Sequence, residues 1–308
     1  MNQHVPVLLK ESVDLLIKNK NGIYFDGTIG FGGHSSEIIT RLQQKGKLIA
    51  TDKDIEAFVH SQRKFADDKR ISVYNASFTE IDTIAKIEFI EKFDGIFVDL
   101  GVSSYQLDNV ESGFTFREDS PLDLRMNKKS GISASYLLNN FTQEQISEIL
   151  FTYGEEKLSR KIARFIVEKR EVEKFNSTLQ LKKIVEKVIP PNYVNKSLSR
   201  IFQALRIYVN NELEELKNFL DKSIDLLCNG GRLVILSYHS LEDRIVKEKF
   251  KYESLRCVCP PKTPICICGK KQSLILLNSK PIIPSDLEIN KNRRARSAKL
   301  RVAEKVQS

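Results

Sequence analysis

"FDGTIGFGGHS" (residues 25–35) places glycines at 27, 30, 32 and 33 directly behind the short apolar run "GIYFDG" (22–27). Glycine loses more backbone freedom on folding than any other residue, so this density marks a chain that must turn sharply or approach something closely. Similar apolar runs follow: "KLIATD" (47–52), "ISVYN" (71–75) and "FDGIFVDLG" (93–101), each ending in polar or glycine positions. Between the first two lies "HSSEIITRLQQKG", with Ile38, Ile39 and Leu42 at helical spacing and Gly46 as a stop. Strand, helix, strand at this tempo predicts an α/β fold with a parallel sheet and crossover helices.

The next strand signal, "GGRLVILS" (230–237), comes about 130 residues after the fourth. The block between reads as helical. Thr142 opens "TQEQISEIL", a capping-box pattern with Gln145 three residues on. "EEKLSRKIARFIVEKRE" sets Leu158, Ile162, Phe165 and Ile166 on one face, with Lys157, Arg160, Lys161 and Arg164 on the other. The expected architecture is a Rossmann-like domain (1–107 and 201–308) interrupted by a mostly helical insertion (108–200). The return runs through Leu198, Ile201, Phe202, Leu205, Val209, Leu213, Leu216, Leu220 and Ile224 to a stop at Gly230-Gly231. "SLILLNS" and "SAKLRVAE" then offer two further strands, antiparallel to the rest.

The 308-residue chain is 41% hydrophobic and 29% charged, the balance of a globular protein rather than a disordered one. Its net charge of +9 and pI near 9.1 favour a polyanionic partner over a plain basic enzyme. The N-terminal apolar run is cut by Lys10 and Glu11 and lacks a basic lead, so no signal peptide is expected. No run is long enough to span a membrane. Five cysteines, four of them between 257 and 268, do not form a secreted disulfide framework, and a cytoplasmic protein is expected.

The first strand-to-helix turn of an open α/β sheet is the usual ligand contact. Here its spacing is G-x-x-G-x-G, not the G-x-G-x-x-G of a dinucleotide site, and no Gly-Lys-Ser/Thr follows to make a P-loop. Asp52 ends the second strand, where a carboxylate can accept from both hydroxyls of a ribose. A nucleoside cofactor without a pyrophosphate fits this pattern better than a nicotinamide dinucleotide does. Asp99, Gly101, Ser103, Ser104, Tyr105 and Gln106 crowd the tip of the fourth strand. His239, Ser240, Glu242 and Asp243 follow the fifth.

Seven stretches in order, "HVPVLLKE", "DGTIGFGGHS", "DLGVSSYQLD", "SPLDLRMN", "FQALRIYVNNEL", "SYHSLEDR" and "RRARSAKLR", resemble the bacterial RsmH (MraW) family of small-subunit ribosomal RNA cytosine-N4 methyltransferases. The resemblance runs from His4 to about Arg301. It implies a class I (Rossmann-like) methyltransferase core and S-adenosyl-L-methionine as donor. The target would be a cytidine in the decoding region of 16S rRNA, on the small ribosomal subunit, with a helical insertion that helps recognise RNA and no DNA or membrane partner. By that resemblance Gly32, Gly33 and His34 line the methionine end of the cofactor, Asp52 meets its ribose and Phe78 its adenine. Asp99 and Gln106 close the pocket.

A cytosine amine is a poor nucleophile because its lone pair is delocalised into the ring, and acceptors on its two protons localise that pair. Many amino methyltransferases carry Asp/Asn-Pro-Pro-aromatic after the fourth strand; this chain has Asp99-Leu100-Gly101-Val102-Ser103-Ser104 instead. The expectation is that Ser103 and Ser104 supply the acceptors and that Asp243 or His239 takes the released proton. For His239 a structural hydrogen bond is an equal alternative. The basic face at 157–164 and the tail "KNRRARSAKLR", six Lys/Arg and no acid, are the expected phosphate contacts. Cys257, Cys259, Cys266 and Cys268 could hold a zinc ion or remain reduced thiols. Their spacing is not the usual C-x-x-C, and no metal is assigned to the site.

Overall fold

The computed structural model describes residues 6–102, 113–128, 131–260 and 265–306. The chain divides into two compact units, one of residues 1–101 and 214–308, the other of residues 102–213.

The first unit carries α1 (Leu9–Leu16), β1 (Ile23–Asp26), α2 (Gly33–Arg41), β2 (Lys47–Thr51), α3 (Ile55–Lys64), β3 (Ile71–Tyr74), α4 (Ile81–Ile87) and β4 (Phe93–Asp99). The second holds α5 (Ala134–Asn140), α6 (Gln143–Gly154), α7 (Ser159–Arg170), α8 (Thr178–Val188) and α9 (Val194–Asn210). The first unit resumes within α10 (Glu212–Leu226) and continues with β5 (Leu227–Ser237), α11 (Ser240–Glu253), β6 (Leu274–Leu276), α12 (Asp286–Lys291) and β7 (Lys299–Lys305).

Seven strands form one sheet in the order β3-β2-β1-β4-β5-β7-β6. The first five are mutually parallel, while β7 runs antiparallel to both β5 and β6. Successive strand residues face opposite sides, which is why these strands are apolar almost throughout. Tyr24, Leu48, Phe97 and Val234 pack with Val13, Leu16 and Ile38 of α1 and α2. Their neighbours Phe25, Ile49, Ile96, Val98 and Ile235 pack with Ile84, Phe219, Leu220, Val246 and Phe250 of α4, α10 and α11. Because β1 and β4 lie side by side, the chain leaves β1 in opposite directions across the sheet. That reversal opens a crevice at the strands' carboxyl ends.

The helical unit has its own core, built from Leu137, Ile146, Leu150, Ile162, Ile166, Leu181, Val185, Leu198, Ile201 and Leu205. Its α6 begins with the predicted capping box. Thr142 Oγ1 accepts from the Gln145 N–H (3.2 Å) and Gln145 Oε1 accepts from the Thr142 N–H (2.9 Å).

Four expectations need correction. The sixth strand does not oppose the rest: β6 is antiparallel to β7, which itself opposes β5, so β6 points the same way as the first five. The return segment is two helices, broken where Asn211 takes a left-handed conformation (φ 51°). Since α9 buries its apolar face in the helical core, the units divide at 213/214 rather than at 200/201. Gly230-Gly231 also stop no helix. They lie within β5, where the register with β4 jumps from Phe93↔Leu227 to Gly95↔Arg232.

Candidate functional site

The glycine turn joins β1 to α2 at the mouth of the crevice. Gly32 caps α2 with φ of +77°, a left-handed conformation that penalises any Cβ, and a Cβ there would also lie 2.7 Å from the Phe65 ring. At Gly27 the constraint is space: a Cβ would sit 2.7 Å from that of Phe78. The turn is tied down on all sides. The Ile29 N–H donates to the Thr51 carbonyl (2.9 Å) and the Ser61 hydroxyl to the Gly30 carbonyl (2.7 Å). Lys64 Nζ donates to the carbonyls of Phe31 and Gly32, both at 3.0 Å.

Three carboxyls stand at the tips of β1, β2 and β4. Asp26 is fully buried, accepting from the Thr28 N–H (3.1 Å) and the Ser35 hydroxyl (2.6 Å). Asp52 accepts from the Gly30 N–H on Oδ2 and from the Asp54 N–H on Oδ1, both at 2.9 Å. Asp99 is anchored through its own N–H to Thr28 Oγ1 (2.7 Å). Its Oδ1 is buried and has no hydrogen-bond partner among the described residues.

Burial, which penalises the ionised form, pushes Asp26 and Asp52 up to about 6 and Asp99 to about 7. Like charge adds to it, from Asp52 on Asp26 and from Asp26 on Asp99. Such a crevice is poorly suited to a pyrophosphate, which it would repel. A ligand bearing positive charge would relieve both the burial and the mutual repulsion.

His34 is buried in the first turn of α2, its Nε2 3.1 Å from the Val7 carbonyl, its Nδ1 3.8 Å from Asp99 and its ring 4.6 Å from that of Phe97. Phe78 follows β3 and is nearly buried, edge-on to Phe219 at 5.0 Å. Gly33 begins α2, where an added Cβ would meet Pro6 at 2.4 Å. Ser103, Ser104 and Gln106 lie outside the described residues.

The residues after β5 make structural contacts. His239 caps α11, its Nδ1 accepting from the Glu242 N–H (3.4 Å) and its Nε2 lying 3.0 Å from Glu242 Oε1. Asp243 is clamped by Arg301 Nε (2.6 Å) and Lys299 Nζ (3.0 Å), and these cations hold its carboxyl below the usual range despite burial. That arrangement suits a strut between α11 and β7. It also removes Lys299 and Arg301 from the basic tail as free phosphate contacts.

Sequence reasoning passed over Tyr238, whose hydroxyl hydrogen-bonds Asp99 and whose ionisation is pushed well above 10 by burial and that carboxylate. It also missed Asp26. Asp26 could have been found as the acidic residue closing the strand before the glycine turn; nothing local marks Tyr238. In the helical unit, "SPLDLRMN" meets "FQALRIYVNNEL". Asn210 bonds the Leu124 carbonyl (2.7 Å) and the Met126 N–H (2.8 Å), while Arg125 grips Asp123 with two hydrogen bonds.

An open, mostly parallel sheet, a glycine turn on its first strand and a carboxylate closing its second define an α/β enzyme of the nucleoside-cofactor class. The sequence pattern of the MraW methylase family matches residues 1–306. The chain therefore belongs to the MraW methylase family and is a methyltransferase. It is 47% identical over 307 residues to the ribosomal RNA small subunit methyltransferase H of Caldicellulosiruptor saccharolyticus, covering 99% of this chain and 100% of that protein. The proteins of the same name from Clostridium botulinum (strain 657 / Type Ba4) and Fusobacterium nucleatum are 46% and 44% identical. They cover 99% and 98% of this chain, and 99% and 97% of their own lengths. Among the described residues no helix is long and apolar enough to cross a membrane.

Proposed function

We propose that this methyltransferase acts on small-subunit ribosomal RNA, at the exocyclic N4 of cytidine 1402. Near-full-length identity to relatives named for that RNA carries the choice of substrate. S-adenosyl-L-methionine is the methyl donor, and the acidic crevice fits its two cationic centres. When bound, it supplies a methyl on a sulfonium, which leaves as a neutral thioether once the amine nitrogen takes the carbon.

The chain's own residues position and neutralise. The Asp52 oxygens retain lone pairs for ribose hydroxyls, and Gly32, Gly33 and His34 form the wall beyond the turn. Phe78 and Gln106 are assigned to the adenine side and the pocket's closure. Ser103 and Ser104 accept from the amine protons, localising the nitrogen lone pair, and much of the rate comes from holding that nitrogen in line. We place the proton acceptor at Asp99, whose unpartnered oxygen and value of about 7 suit a group ionised at and above neutrality. Asp243, locked by two cations, and His239, committed to its cap, suit that role less. The base must be unstacked to enter, which favours a single-stranded or splayed target.

The test is to follow radiolabelled methyl into naked RNA, an assembly intermediate and the finished small subunit side by side. Label should appear on a cytosine N4; label on a ring carbon or a ribose oxygen would refute the amine chemistry.

Donor binding should also depend on pH. All three carboxyls are raised in the free protein, so protons compete with a cationic ligand. Affinity should be full above about pH 8 and fall as pH drops through 7 and 6, by up to about tenfold per pH unit for each carboxyl that must ionise. Calorimetry from pH 8 to 5.5 measures this, and a flat profile would mean that the carboxyls do not meet the cation.

A further inference from the structure

We propose that Cys257, Cys259, Cys266 and Cys268 form a mononuclear zinc site that holds together the loop between α11 and β6. The four sulfur atoms all lie within 4.8 Å of one another. Cys266 Sγ is 3.4 Å from Cys257, 3.8 Å from Cys259 and 3.5 Å from Cys268, and Cys268 is 3.7 Å from Cys257. A tetrahedron with zinc–sulfur bonds of about 2.3 Å has edges of about 3.8 Å. The sulfurs thus already stand near the corners of a single-metal site. They are too far apart for disulfides, whose sulfurs bond at about 2.05 Å, and all four cysteines are free.

The surroundings agree. The Val258 N–H donates to Cys268 Sγ (3.4 Å) and the Cys259 N–H to Cys257 Sγ (3.3 Å), aiming positive dipoles at sulfurs that would carry negative charge. Gly269, directly after the last cysteine, has φ of +63°, the left-handed turn that folds the second C-x-C pair back toward the first. None of the described residues from 254 to 273 is buried, and Val258, Ile265 and Ile267 are 41%, 77% and 85% exposed. Among the described residues the loop is tied at its base, where Lys270 pairs with Glu253 (2.8 Å) and Arg256 bonds Gln272 (3.3 Å), and a metal cross-link would hold its exposed tip. Chemistry at the crevice calls for no metal, so the role is structural.

Metal analysis of the full chain, purified without chelator, should find one zinc per molecule. Cys266→Ser should lower that to below a tenth, and Cys228→Ser, altering the one cysteine outside the cluster, should leave it unchanged. Cobalt(II) substituted into the wild-type chain should show thiolate charge-transfer absorption and the intense visible bands of tetrahedral coordination, a reading independent of whether any variant folds. Limited proteolysis should then cut the 254–273 loop faster after chelation. Four reagent-accessible thiols with no metal, a disulfide in the isolated protein, iron in place of zinc, or zinc that persists in Cys266→Ser would each overturn the proposal.

Discussion

The Asp52→Ala chain should bind S-adenosyl-L-methionine roughly 10- to 150-fold more weakly than the wild-type chain, the loss of about 1.5–3 kcal/mol expected for hydrogen bonds to a charged group. Asp52 acts in two ways that the variant removes together. In the proposed site its remaining lone pairs meet the ribose, and its bonds to the N–H groups of Gly30 and Asp54 fix the glycine turn against β2. The melting temperature of the ligand-free variant separates these contributions. A lost ribose contact lowers affinity with little change in melting, whereas a loosened turn lowers both. Titration calorimetry at pH 8, where the wild-type carboxyl is ionised, gives the cleanest comparison. Unchanged affinity would remove Asp52 from the site. Tight binding of a nicotinamide cofactor in the same titration would revive the hydride-transfer alternative.

Replacing Arg160, Arg164, Arg293, Arg294 and Arg296 together should have the largest effect on RNA binding. All five side chains are exposed, the first two on α7 and the others on the 3₁₀ turn Arg293–Ser297, where only Ala295 is buried. Each phosphate contact releases counterions, contributing about 0.7–0.9 to the log–log salt slope, so losing five should flatten it by about 3.5–4.5. Over a fourfold change in salt the variant's affinity should then move roughly 100- to 500-fold less than the wild type's. Donor affinity should hold, because none of the five is among the residues assigned to the donor. If the two groups grip separate stretches of RNA, their effects should add. Arg164 lies 3.5 Å from the exposed Glu168 and over the half-buried Phe165 ring, and an exposed cation gains little from either contact, so melting should barely change. Filter binding across a salt series beside a melting curve decides the matter. A lower melting point with an unchanged slope would make these arginines a solvated, structural surface.

What was legible in the sequence is what short stretches of chain decide locally. Strand runs, the glycine turn, the Thr142 cap and the placing of Asp52 at the end of β2 follow from side-chain period and backbone conformation, which neighbours in sequence determine. The existence of the final two strands was readable for the same reason, though the direction of β6 was not. Which charges are available could not be read this way. That Asp243, a candidate base, is paired with Lys299 and Arg301, more than fifty residues on, is visible only in the folded chain. Nor could the sequence show that Asp26, Asp52 and Asp99, at the ends of three different strands, stand close enough that Asp52 raises the protonation of Asp26 and Asp26 that of Asp99. The unit boundary moved because α9 is as apolar as any return helix, and only packing tells which core takes it. The cysteine spacing left metal and thiol readings open, whereas the distances between the sulfurs favour one. In each case the deciding quantity is a distance or a burial between residues far apart in sequence, and only the folded chain has one.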